Sequence, residues 1–264
     1  MLLAIDIGNS NITLGGIQEG EILFEARLAT DSTKTSDEYG VEIKDMLDLF
    51  GARVEEIRDC IVASVVPPVF NSVRNGIVKL TGKEPMVVGP GIKTGINILL
   101  EDPGATGADL IAAAVAAVDT YPTPLTVVDM GTATTIAVID DGNAFLGGAV
   151  LPGLRISAEA LSSRASLLPG IQLERPRRAI GKNPVECRQS GLMFGAAAMV
   201  DGLIDRMEAE LGRPTTVVAT GGVARFVVPL CRHETALERD LQLKGLDLLY
   251  RKNRPRKEAA PDPR

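Results

Sequence analysis

The strongest constraint on the fold is a pattern that occurs twice. Residues 2–15, LLAIDIGNSNITLG, set Asp6-Ile7-Gly8-Asn9-Ser10-Asn11 between two β-prone apolar runs. Residues 125–140, LTVVDMGTATTIAVID, set Asp129-Met130-Gly131-Thr132 between two more. Each unit reads as strand, tight turn, strand, with Gly giving backbone freedom and Asp, Asn, Ser or Thr the turn chemistry. A hairpin needs no carboxylate, so each tip is either an ordinary turn or one shaped for a ligand. The residues alone leave both readings open, but a unit repeated in each half of the chain predicts an α/β fold of two similar lobes.

The segments between these units fit that architecture. Tyr39, Ile43, Met46, Leu47 and Phe50 recur at helical spacing, and Thr35 with Glu38 forms a capping box, which predicts a helix over 36–50. A strand at CIVASV follows, then a helix opened by Pro67-Pro68, then a strand at MVVG. The alanine-rich GADLIAAAVAAVD is a helix leading into the second unit. Downstream, VVATGGVARF is a third glycine-rich strand end, where Gly221-Gly222 would let a helix begin close to a ligand. Helices are expected over 185–211 and at LQLKGLDLLYRKN. The expected division is a first lobe over 1–115, a second over 116–253, and a frayed tail over 254–264, charged and Pro-rich.

Composition narrows the function. With 264 residues, 45% of them hydrophobic, a sizeable core is affordable without staples. The net charge of −6, with no basic stripe outside the C-terminus, argues against nucleic acid as partner. No apolar run approaches the roughly 18 residues of a membrane span, and no basic leader precedes the first strand, so no membrane association and a cytoplasmic location are expected. Cys60, Cys187 and Cys231 have no metal-ligand spacing and read as buried thiols of a reducing compartment. His233 is the only histidine, which excludes a histidine-rich metal site.

Neither a GxxxxGK(S/T) loop nor GxGxxG is present, so phosphate would have to be held another way. A hairpin tip presenting backbone N–H groups and Asn, Ser or Thr side chains is a donor-rich concavity suited to anionic oxygens. Two such tips could grip a polyphosphate from both sides, their Asp residues serving the cations that accompany nucleotides. Asp109, at the start of the alanine-rich helix, is favourable there with the helix dipole, and equally available as a base.

The motifs DIGNSN (6–11), GAD (107–109), VVDMGTATT (127–135), GGAVLPGLRISAEAL (147–161), GKN (181–183), ATGG (219–222) and the closing LKGLDLLYRKN together resemble the type III pantothenate kinases of the actin-like ATPase superfamily. The resemblance runs in order from about residue 2 to 253. It implies a duplicated, bilobal, ribonuclease H-like fold: two mixed sheets with helices around a central nucleotide cleft. It also implies a homodimer that uses ATP to phosphorylate pantothenate, the first step of coenzyme A synthesis. By the family pattern Asp6, Ile7, Gly8, Asn9, Ser10, Asn11, Ile12, Thr13 and Thr132 bind ATP, which carries Mg2+. Asp129 holds a monovalent cation, K+ or NH4+, and Asp109 accepts the acceptor's proton. Gly107, Ala108, Asp109, Leu110 and Pro184 fall at substrate-binding positions.

Three of the pocket positions depart from the family. Leu110 stands where the family has Arg, Pro184 where it has Thr, and Leu100 where it commonly has Tyr. Pantothenate has a carboxylate, an amide and hydroxyls, so these changes remove polar partners, worth about 1.5–3 kcal/mol for an Arg-type contact and about 1 for a neutral one. Lys182 or Arg155 could compensate. The expectation is therefore a pantothenate kinase with an altered pocket, the alternatives being a kinase of the same fold for another small hydroxyl substrate and a nucleotide-binding regulatory protein.

Overall fold

The computed structural model describes residues 1–164 and 174–254; the expected tail lies, from residue 255 on, outside the described residues. β1 (Leu2–Ile7), β2 (Asn11–Gln18) and β3 (Glu21–Ala29) form an antiparallel meander, followed by α1 (Ser36–Leu49), β4 (Asp59–Ser64), α2 (Pro67–Thr81) and β5 (Met86–Val87). β4 lies parallel to β1 and β5 parallel to β4, so the sheet order is β3-β2-β1-β4-β5.

The second half repeats this plan. After β6 (Asn97–Ile98) and α3 (Ala108–Thr120) come β7 (Leu125–Met130), β8 (Ala133–Ile139), β9 (Ala144–Pro152), α4 (Leu154–Arg164) and α5 (Pro184–Leu211). β10 (Thr216–Thr220), α6 (Ala224–Val227), β11 (Thr235–Leu237) and α7 (Leu241–Asn253) complete it. The sheet order β11-β10-β7-β8-β9-β6, taken from β9, is again a three-strand meander with two parallel strands beyond its first strand. β6 adds a sixth strand beside β9, and Leu243 of α7 packs under Gly15 of β2, so elements of the two halves interlock across residue 115.

Local chemistry explains most boundaries. Thr35 and Glu38 cap α1 reciprocally, Pro67 and Pro68 open α2, and Gly82 ends it in the left-handed region. α5 starts at Pro184, with the Asn183 side chain accepting from Glu186 N. α4 is a helix the sequence pattern did not announce. The helix after Gly221-Gly222 is a single turn, because Pro229 falls too soon for it to continue.

The first core lies between the β1–β3 meander and α1 and α2, and includes Leu3, Ile5, Ile12, Tyr39, Ile43 and Val73. α3 and α7, the last helix of each half, pack against one another between the sheets. A Cβ on Gly245 would stand 1.9 Å from the Ala112 carbonyl oxygen, so only glycine permits this approach. Burial of every residue from Ile111 to Ala117 follows from α3 being enclosed on all sides, which small alanines allow. Of the three thiols expected to be buried, Cys60 is buried and Cys231 half-buried, but Cys187 is exposed on the first turn of α5. Among the described residues no helix is long and apolar enough to cross a membrane.

Candidate active site

Asp6 is the penultimate residue of β1 and faces Thr13 across the ladder; Asp129 is the penultimate residue of β7 and faces Thr135. Gly8 N donates to Asn11 O at 3.0 Å to close the first tip, and Gly131 N to Ala133 O at 2.9 Å to close the second. The first tip is braced by β3's neighbour Thr30, whose hydroxyl donates to Gly8 O at 2.6 Å. Asn9, Ser10 and Asn11 are exposed on it, whereas the Ile7 and Ile12 side chains are wholly in the core, leaving only their backbone to face a ligand. The two tips touch: Ser10 Oγ and Thr132 Oγ1 are 2.7 Å apart.

Asp109 is the second residue of α3, after the N-cap Gly107, and its Oδ1 accepts from Leu110 N at 2.7 Å. A Cβ on Gly107 would stand 2.5 Å from that oxygen, which accounts for glycine there. Asp129 Oδ2 accepts from Gln242 Nε2 at 2.9 Å, and Gln242 Oε1 in turn accepts from Thr220 Oγ1 at 3.3 Å. Gly221, with φ +96°, passes so close that a Cβ would lie 2.6 Å from Asp129 Oδ1. Gln242 was missed by sequence reasoning. Its one signal is that it directly precedes the LKGLDLLYRKN motif at the start of α7.

The three carboxylates sense one another. Burial, reinforced by Asp109 and Asp129, pushes Asp6 up to about 8. Burial and then Asp109 push Asp129 up to about 7, against the hydrogen bond from Gln242. Burial also raises Asp109, opposed by backbone N–H groups at its helix start. Each keeps a little solvent contact while being largely enclosed by protein. Asp6 Oδ1 is buried with no hydrogen-bond partner among the described residues. Like charges at this depth call for a proton or a cation. No group of three or more such side chains among the described residues is arranged to hold a metal by itself. The unpaired Asp6 Oδ1 is an oxygen of the kind that would join a Mg2+ held mainly by a ligand's phosphates.

The departing positions differ in burial. Leu110 is half-buried directly after Asp109. Leu100 packs as an apolar side chain against the core of the second sheet. Pro184 is exposed at the start of α5. The preceding GKN segment acts as a helix cap, with Asn183 Oδ1 accepting from Glu186 N at 2.9 Å and Lys182 N donating to Glu186 Oε2 at 3.0 Å.

Two matching meander-plus-parallel sheets with touching Asp-bearing hairpins make up the actin-like ATPase fold. Solved structures with this fold include a Campylobacter jejuni protein assigned to the Baf family of transcriptional activators (18% identity, 95% of this chain and 98% of that one, TM-score 0.60). A ROK hexokinase from Thermus thermophilus (15%, 94% and 97%, TM-score 0.52) shares it too. So does a ROK-family glucokinase from Streptomyces griseus in complex with glucose and AMPPNP (14%, 94% and 98%, TM-score 0.50). The chain itself belongs to the type III pantothenate kinase family, whose model matches residues 2–206.

Proposed function

We propose that the protein transfers the γ-phosphoryl group of ATP to the primary hydroxyl of pantothenate. The observation that supports this reading is the contact of Ser10 with Thr132 between the two tips that carry Asp6 and Asp129, with Asp109 close enough to raise both carboxyl groups. The polyphosphate lies along the two tips, held by the 6–13 segment and Thr132. Mg2+ on ATP, and K+ or NH4+ at Asp129, neutralise charge when bound. Asp109 orients the acceptor hydroxyl; as its oxygen bonds to phosphorus and the bond to ADP breaks, the proton passes to the Asp109 carboxylate. A carboxylate raised above its usual range is the better base.

Gly107, Ala108, Leu110 and Pro184 belong to the acceptor pocket in this reading, the lobes are 1–115 and 116–253, and the working form is a cytoplasmic homodimer. A second reading, a kinase for a less polar acceptor, is favoured by half-buried Leu110 beside Asp109, where an Arg would have met a carboxylate. Asp109→Asn tests the base: turnover should fall by about 10²–10⁴ with ATP affinity nearly unchanged. Equal turnover would remove Asp109 from the chemistry.

A further inference from the structure

We propose that Arg27 is a further ligand of the nucleotide, binding its polyphosphate from the outer edge of the first sheet; this rests on the ATP site described above. Asp6 pairs with Thr13, and Thr13 pairs with Arg27 on β3, so the three side chains form a row on one face of the sheet. In the second half the corresponding row is Asp129, Thr135 and Val150. The duplication thus places a cation in one lobe where the other has an apolar side chain, 74% exposed.

The guanidinium is oriented before any ligand arrives. Its Nε and Nη2 donate to Glu25 Oε1 at 2.9 and 2.7 Å. Its Nη1 reaches across to the second lobe and lies 3.7 Å from where a Cβ on Gly222 would stand. Nη1 makes no hydrogen bond among the described residues, and the missing side chain at Gly222 leaves the gap open. The Arg27 and Glu25 side chains are 50% and 29% exposed, so their ion pair contributes little to the fold. What the arrangement does provide is a held fork with free donors beside the turn that passes Asp129, the geometry by which Arg recognises phosphate.

Charge supplies the second argument. None of the segments 6–13, 129–135 and 219–224 contains Lys or Arg, and three carboxylates line the same gap. A bound polyphosphate adds more negative charge, which these segments can meet only with dipoles. Arg27 is a side-chain cation that the fold brings beside the Gly221-Gly222 turn.

The test is calorimetric titration of adenosine, ADP and ATP, with magnesium, into the wild-type protein, Arg27→Ala and Arg27→Lys, with melting curves to confirm folding. Arg27→Ala should weaken ADP and ATP by about tenfold to a hundredfold, as loss of a charge-assisted hydrogen bond does, and leave adenosine within about twofold. Arg27→Lys should fall between. Unchanged ADP and ATP binding in Arg27→Ala, with the wild type binding both, overturns the role of Arg27 alone. Equal weakening of adenosine also overturns it, since Arg27 would then act through lobe packing. A wild type that binds no ADP or ATP overturns both this proposal and the nucleotide site beneath it.

Discussion

Gly245→Ala tests whether the α3–α7 contact both holds the lobes together and sets the active site. The added Cβ would stand 1.9 Å from the Ala112 carbonyl oxygen and 2.5 Å from its carbon. An ordinary carbon–oxygen contact is about 3.2 Å, so the helices must separate by about 1.3 Å, and gaps of 0.5–1 Å already forfeit a quarter to a half of a dispersion well. Ile111, Val115, Leu243, Leu246 and Leu249, all buried in the cluster this contact closes, lose packing at once. Overpacking of this kind costs about 1–3 kcal/mol, and each kcal/mol lowers the melting temperature by about 2–4 °C in a chain of this size. The expected fall is therefore about 6–12 °C at the upper end of that cost. Gln242 lies three positions before Gly245, and Asp109 three before Ala112, so separation also moves the partner of Asp129 away from Asp109. Turnover at a temperature where the variant is folded should fall more than the folded fraction does. A melting temperature within about 1 °C of wild type would refute the packing argument, and full activity in a destabilised variant would refute the positional one.

The raised carboxylates carry a pH signature. A carboxyl group whose folded pKa exceeds its unfolded value of about 4 stabilises the fold while it stays protonated, so that contribution is lost as pH rises towards the folded value. For Asp6, at about 8, and Asp129, at about 7, ligand-free protein should melt at progressively lower temperature between pH 5 and 8, and Asp6→Asn should flatten the slope. Gln242→Leu should impair catalysis beyond its effect on stability, because Asp129 loses a donor that fixes it. Assays in sodium-only buffer should show low activity that returns with potassium. Leu110→Arg combined with Pro184→Thr should lower the pantothenate KM by at least about tenfold, with the single variants separating charge from backbone effects.

What could be read from the residues was local. Thr35 with Glu38, Pro67-Pro68 and the two Asp-x-Gly tips depend on neighbours a few positions apart, and they appear where the pattern put them. The duplication was legible because it repeats a local signal. The bond of Gln242 to Asp129 and the approach of Arg27 to Gly222 join residues over a hundred positions apart, and neither segment names its distant partner. LRISAEALSSR forms α4, which the sequence pattern did not announce. Cys187 looked like a core thiol by residue type, whereas its place on the first turn of α5 exposes it. The departures at Leu100, Leu110 and Pro184 were visible in sequence, but only the fold shows their surroundings, Leu100 packed against a core cluster and Pro184 exposed at the start of α5.

The most direct measurement of the central claim is ADP release from ATP by the purified protein in magnesium and potassium, with and without pantothenate, together with mass analysis of the acceptor. The account predicts release that depends on pantothenate and is matched mole for mole by phosphorylated pantothenate. ADP release that is the same without pantothenate, or pantothenate recovered unmodified while ATP is bound, would contradict it.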